Sequence, residues 1–291
     1  MATHLTTIPG PVSMLLKLDS HTHIYTNYRP IANRRGLELG PRTLEWLTQT
    51  VIKNGVNAVG ITNFNDKNYE FWTSQTKDLP KGWGFYQDDR LTAVDNPGAQ
   101  DVVYFFKSEE IATQEGHILL FGTKRGSNIP HGLSLEETLN IAHEDPISIK
   151  IADHPFSKFA PSLNEKIEKY SNLFDAYEFN AATDGNDETE AQAVYDRGRL
   201  QDTKPLIASS DSHSPGEIGR SYINLLSAMF SHKSGKEVVC SIRDLVRQNA
   251  FEAEKQQSPI GFSIKHMGLN LFYNIVLKRI NPAYVDPNCD N

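Results

Sequence analysis

Seven short apolar runs, at residues 14–18, 56–62, 102–107, 118–121, 147–152, 174–179 and 206–209, punctuate the chain, with helix-forming stretches between them. Alternation of this kind builds a largely parallel sheet, because parallel neighbours need a long crossover and a helix is the usual one. At 291 residues the chain is long enough to do this around one core. The helix signals agree. Pro41 and the pair Asn54-Gly55 bracket a helix through Trp46 and Val51. Ser134, followed three residues later by Glu137, predicts a capping box opening a helix that runs to His143. A further helix is expected over 187–200. The fold expected is α/β, a closed or distorted barrel with its chemistry at the C-terminal ends of the strands.

Two stretches stand outside this repeat. Residues 63–100 form an insert whose aromatics, Tyr69, Phe71, Trp72, Trp83, Phe85 and Tyr86, sit among Gly, Pro and Asp. It is expected either to overhang the barrel mouth and select substrate or to pack as a cluster of its own. Beyond Gly219, helices are predicted over 237–251 and 263–280. In the second, Ile264, Met267, Leu271, Ile275 and Val276 follow a period near 3.6 and make one apolar stripe to pack on the barrel. The expected organisation is a barrel domain over 1–225 carrying the 63–100 insert, and a helical extension over 226–291.

A formal net charge of -7 lacks the positive field of a general duplex-binding surface, which leaves a small anionic substrate as the compatible class. The two cysteines, Cys240 and Cys289, are far apart and form no CxxC pattern, so no disulfide framework or thiolate zinc site is expected. No apolar run approaches the roughly 20 residues that span a bilayer, and the start has no basic segment followed by a long apolar one. The expected location is the cytoplasm, with no membrane partner, and nothing in the sequence speaks to oligomeric state.

The chemistry is carried at the ends of the apolar runs. Asp19-Ser20-His21-Thr22-His23 follows the first run, and on a strand residues two apart share a face, so Asp19, His21 and His23 point together. Paired imidazoles suit zinc, iron or manganese, and Asp19 is positioned to orient one of them. Asp211 and His213, after the last run, repeat the spacing. Between them, Glu110 follows the third run, His117 opens the fourth and His154 closes the fifth. Ligands placed at strand ends are what a polynuclear site at one mouth of a barrel requires. His4, His131, His143, His232 and His266 fall outside these motifs and are read as structural or solvated. For Glu178, ligation competes with a cap or salt bridge.

Taken together, Asp19-Ser-His21-Thr-His23, Glu110-Ile111 with Gly116-His117-Ile118-Leu119, Asp153-His154-Pro155-Phe156, Glu178-Phe179-Asn180 and the segment from Ser210 to Gly219 closely resemble the PHP (polymerase and histidinol phosphatase) family, in the family's order and over roughly 14–220. The resemblance implies a distorted (βα)7 TIM-like barrel with metals at its C-terminal mouth and phosphoesterase chemistry. It implies that His21, His23, Glu110 and Asp211 hold one divalent ion, Mn, Zn or Fe, and that Glu110 bridges to a second held by His117 and His154. Glu110 is preferred to Glu109 because Ile-Ala follows it, as in the family. Trinuclear members carry an Asp-His pair where this chain has Asn63-Phe64, and the loop 24–28 lacks their extra histidine. Of the third metal's ligands only His213 remains, so two metals are expected, a third with His213 as ligand only if Asn63 or Asp66 substitutes, and otherwise His213 joins Asp211 as a catalytic residue, contacting phosphate or protonating the leaving oxygen. Arg29, Arg34, Arg35, Lys158 and Arg220 lie beside the metal motifs. Of these, Arg220 and an arginine of the 29–35 loop, Arg29 or Arg35, are the expected phosphate clamps.

The expected activity is hydrolysis of a phosphomonoester or small phosphodiester, nucleotides included. An amidohydrolase is the rival, though it would bridge its metals through a modified lysine. The other rival is an accessory or end-processing module that meets nucleic acid only at a strand end.

Overall fold

The computed structural model describes residues 2–9, 15–24, 43–63, 67–99, 101–127, 129–157, 161–180, 204–213, 215–226, 230 and 233–256. The helices expected over 187–200 and 263–280, together with Arg29, Arg34, Arg35, Lys158, Phe64 and Asp66, lie outside them. Among the described residues the fold is mixed α/β, built on one twelve-stranded sheet.

Its strands are β1 (Thr3–His4), β2 (Leu15–Thr22), β3 (Ala58–Asn63), β4 (Gly84–Gln87), β5 (Leu91–Asn96), β6 (Asp101–Ala112), β7 (His117–Phe121), β8 (Ile149–Ala152), β9 (Ala176–Asn180), β10 (Leu206–Ser209), β11 (Tyr222–Leu226) and β12 (Glu252–Glu254). The main path runs β10-β9-β8-β7-β6-β3-β2-β11-β12. The wall nearly closes on itself. Thr22, at the end of β2, bridges Ser212 just past β10, and the His23 amide donates to the Ser212 carbonyl at 2.8 Å.

The seven apolar runs coincide with β2, β3, β6, β7, β8, β9 and β10, but they do not form seven successive strand-helix units. β6 turns directly into β7 through Thr113, whose amide donates to the Gly116 carbonyl at 2.9 Å, and β7 runs antiparallel to both β6 and β8. A turn this short cannot carry a parallel crossover. The reversal has a functional consequence: His117, at the start of β7, stands at the same rim as the ends of β2, β6, β8, β9 and β10.

The inside of the wall is apolar, with Leu16, Leu18, Ala58, Phe106, Leu119, Ile151, Ala176 and Ile207 in one buried cluster. α1 (Leu44–Lys53) covers the outside. Thr43 caps it by accepting from the Trp46 amide at 3.1 Å, and Leu44, Leu47, Thr48 and Val51 give it a buried stripe at helical spacing. Gly55, in the left-handed region at φ +80°, ends it. β3 can lie close to β2 because of Gly60, where a Cβ would meet the Ser20 carbonyl oxygen at 2.2 Å.

The insert is part of this architecture. α2 (Lys67–Thr73) follows β3, a short 3-10 turn follows it, and β4 and β5 form a hairpin that pairs with the first half of β6. Tyr69 and Trp72 are buried in the same cluster as Leu47, Val51, Ile61 and Phe105. Tyr69 and Trp72 thus join the core beneath α1 with Trp83 and Phe85 packed against it, so they form no private cluster, while Tyr86 packs on the barrel cluster and Phe71 is exposed. The expected capping box is present: Ser134 and Glu137 exchange hydrogen bonds at the start of α3 (Leu135–Ala142), with His143 at its C-cap. α4 (Ile167–Tyr170) is a single turn. α5 (Gly235–Arg247), which overlaps the helix predicted over 237–251 but starts and ends earlier, buries Val238, Val239, Ile242, Leu245 and Val246 against the barrel core. No helix among the described residues is long and apolar enough to cross a membrane.

Candidate metal centre

Strand alternation decides which side chains face the mouth. On β6, Glu110 turns inward, whereas Lys107 and Glu109 turn outward and pair with each other. Thr123 and Ser127 donate to the same Glu109 oxygen at 3.0 and 3.1 Å, which holds that carboxylate away from the mouth.

Glu110 meets histidines from three strands. Its Oε2 lies 3.2 Å from His23 Nε2 and 3.8 Å from His21 Nε2, and its Oε1 contacts His117 Nδ1 and lies 3.6 Å from His154 Nε2. Asp211 Oδ1 lies 3.5 Å from His21 Nε2 and 3.2 Å from His23 Nε2. The ligand atoms of His21, His23 and Asp211 fall within 4.8 Å of one another, and so do those of Glu110, His117, Asp153 and His154. His213, 27% exposed, packs its ring 4.5 Å from that of His23 and lies 3.6 Å from Asp211.

Two chain segments are bent to present these groups. His154 and Asp211 are non-glycine residues at φ 26° and 46°, a left-handed conformation that ordinary residues avoid and that persists where surrounding contacts enforce it.

Glu178 takes a supporting position. It accepts from His21 Nδ1 at 2.9 Å and from the His154 amide at 3.0 Å, while Ser209 donates to it as well. One carboxylate on β9 thus joins the ends of β2, β8 and β10. Because a carboxylate only accepts, it puts the His21 proton on Nδ1 and leaves Nε2 facing His23, Asp211 and Glu110. Asp19 does not orient a histidine by hydrogen bonding. Its carboxylate accepts from the Ser210 amide at 3.0 Å, from the Ser210 hydroxyl and from the Gly219 amide at 2.8 Å, fastening β2 to the segment beyond β10. Burial pushes it up to about 7 against the pull of those donors.

The electrostatics of the cluster are those of acids and bases pressed together out of water. Burial favours neutral forms, yet His117 and the other rings hold Glu110 well below the usual carboxylate range, and His21 and His213 hold Asp211 low. His21 is raised well above the ordinary imidazole value by Asp153, Glu178 and Asp211, and His23 is raised by Asp211 and Glu110.

The donor set fits divalent metal. His21 Nε2 and His23 Nε2 approach to 3.0 Å, a distance at which two ring nitrogens need a shared proton or a common cation. Imidazole with carboxylate is the ligand chemistry of zinc, manganese and iron.

Of the sequence-predicted residues, His21, His23, Glu110, His117, His154, Asp211 and His213 are brought together at one mouth. Arg220 is half-buried beside Gly219, its amide donating to the Glu217 carbonyl at 3.1 Å. Asp153 was not expected in the cluster, although its place directly past the β8 run was the available signal. Among the other histidines, His131 accepts from the Ala112 amide at 3.0 Å, His143 bonds the Leu139 carbonyl at 2.6 Å and His4 packs edge-on against Phe85, all structural roles. His232 and His266 lie outside the described residues.

No protein-family model and no curated protein matches the chain. Among solved structures it is similar to PsfC from Pseudomonas syringae PB-5123, with a TM-score of 0.51 and 12% identity over 82% of this chain and 100% of that one, a likeness of fold. A protein from Bifidobacterium adolescentis ATCC 15703, provisionally described as a metal-dependent phosphoesterase, overlaps at a TM-score of 0.40 and 11% identity, over 78% of this chain and 96% of that one.

Proposed function

We propose that the chain is a metal-dependent phosphoesterase of the PHP type, hydrolysing a phosphomonoester or small phosphodiester at the barrel mouth. The observation that carries this reading is the convergence of His21, His23, Glu110, His117, His154 and Asp211, from the strand ends, into one largely buried cluster whose ligand atoms, with Asp153, form two metal-sized groups beside a third made by His21, Asp153 and Glu178.

On this reading His21, His23 and Asp211 hold one ion, His117 and His154 a second, and Glu110 faces both. When bound, such a pair supplies a hydroxide near neutral pH and offsets charge on the phosphoryl oxygens. The protein's own groups then do the positioning. Glu178 fixes the His21 ring, and Asp19 holds the β2 end against the segment that carries Asp211 and His213. His213, the most exposed of these groups, is placed to bind a phosphate oxygen or to protonate the leaving oxygen. Arg220, with Arg29 or Arg35, is the proposed clamp for the remaining phosphate oxygens.

The amidohydrolase alternative finds no lysine to bridge metals among the described residues. Of the two buried lysines there, Lys107 pairs outward with Glu109, and Lys150 donates to the carbonyls of Asp145 and Ser148 at 2.9 and 3.0 Å.

A turnover panel on metal-reconstituted protein tests the proposal, comparing sugar phosphates, histidinol phosphate, nucleotides, oligonucleotide ends and amides. Phosphate release from at least one ester, with amides untouched, is expected. Turnover of amides alone would replace this reading with the amidohydrolase one.

A further inference from the structure

We infer that Asp153 is a ligand of the second metal, completing with Glu110, His117 and His154 a four-ligand pocket that fills before the position at His21, His23 and Asp211. The inference rests on the two-metal reading and deepens it by ranking the two positions.

Asp153 is the first residue past β8 and is 0% exposed. Its Oδ2 lies 3.3 Å from His154 Nε2 and its Oδ1 lies 3.3 Å from His21 Nδ1, both longer than a well-formed hydrogen bond. The acceptor that His21 needs is already supplied by Glu178 at the shorter distance of 2.9 Å. Glu178 by contrast is tied down by His21, Ser209 and the His154 amide. Asp153 is therefore a sealed carboxylate whose 3.3 Å contacts are with imidazoles that Glu178 and Glu110 also engage, a state that a cation close by would stabilise. One is provided for. An Asp153 oxygen, Glu110, His117 and His154 present ligand atoms within 4.8 Å of one another. The first position gathers three ligand atoms within that distance against four at the second, and His213, 27% exposed, lies beside it, so it is the one placed next to substrate. Two nitrogens and two carboxylates make a tetrahedral set acceptable to zinc, or an oxygen-rich one for manganese.

The test is manganese titration of the stripped protein followed by elemental analysis, for wild type and Asp153→Asn. Wild type should take up about two ions in two steps. Asp153→Asn should lose the tighter step, at least tenfold in affinity, and retain about one ion after gel filtration. The metal-free variant should melt close to metal-free wild type, because the amide oxygen can keep a contact of about the same length to an imidazole, while the rise in melting temperature on adding manganese should shrink. Asp153→Glu, which keeps the carboxylate, should regain the second ion more weakly, and it serves in place of the Asn variant should that one not fold. Two ions bound to Asp153→Asn with unchanged affinity would overturn the inference and leave the two-metal reading standing. Wild type that binds none would overturn both. A lower melting temperature in the metal-free variant with metal uptake intact would make Asp153 a structural acceptor, and that too would overturn the inference.

Discussion

The indole nitrogen of Trp72 donates to the backbone carbonyl of Ile24 at 3.0 Å, so the buried insert holds the chain directly after His23. Trp72 is 0% exposed and stacks on Trp46 of α1. Trp72→Phe keeps most of the packing but leaves the carbonyl without its donor, and should cost about 1–3 kcal/mol of stability. It should also weaken metal at His21 and His23. Trp72→Ala should cost about 3–5 kcal/mol. Urea denaturation and metal titration check both. Altered substrate preference at unchanged melting temperature would instead restore a lid role for the insert.

Lys107 and Glu109 form an ion pair on the outward face of β6, each side chain at most 4% exposed. Lys107→Met strands the Glu109 charge and should destabilise by about 3–5 kcal/mol, whereas Lys107→Met with Glu109→Leu should cost much less. Metal content per folded molecule should be unchanged in both, because Glu110 faces the other way. Denaturation curves that rank the double variant below the single one would contradict the pairing.

Burial opposes a charge on His154, but Asp153 and Glu110 outweigh it and raise the ring from 6.5 to about 10. A proton held more tightly in the folded state contributes stability in full below 6.5, and that contribution is lost as pH rises through about 10. Protein stripped of metal should therefore lose stability over this window. With a divalent ion in the proton's place, the loss should disappear. Binding near pH 7.5, at about that value, should release protons, so calorimetric heats should scale with buffer ionisation enthalpy. Heats independent of buffer would contradict the coupling.

His213 lies beside His23 and Asp211 without entering any of the three metal-sized groups. His213→Ala should lower turnover by about 10²–10⁴-fold while metal content stays near two. Asp211→Asn should abolish turnover with the fold intact, because it keeps the shape and removes the ligand charge. Loss of both ions in His213→Ala, or full activity in Asp211→Asn, would refute these assignments.

Much of this was legible in the sequence because strand ends and side-chain alternation are local properties. The runs at 14–18, 102–107 and 206–209 end in Asp19 to His23, Glu110 and Asp211, and a two-residue period alone sets His21 and His23 on one face. The direction of β7 was less visible, since four apolar residues carry no arrow. Only the brevity of the turn from Thr113 to Gly116 betrayed it. Glu178 was open between roles because its partners, His21, Ser209 and the His154 amide, come from three distant segments. The insert read as a loop because β4 has four residues and β5 six, too short for periodicity to emerge among Gly, Pro and Asp.

The most direct test of the account is phosphate release from a phosphomonoester by protein reconstituted with manganese, zinc or iron, measured before and after a chelator is added. The account predicts hydrolysis that stops on chelation and returns when the metal is restored. Hydrolysis unaffected by thorough chelation, or none from protein carrying about two ions per chain, would contradict it.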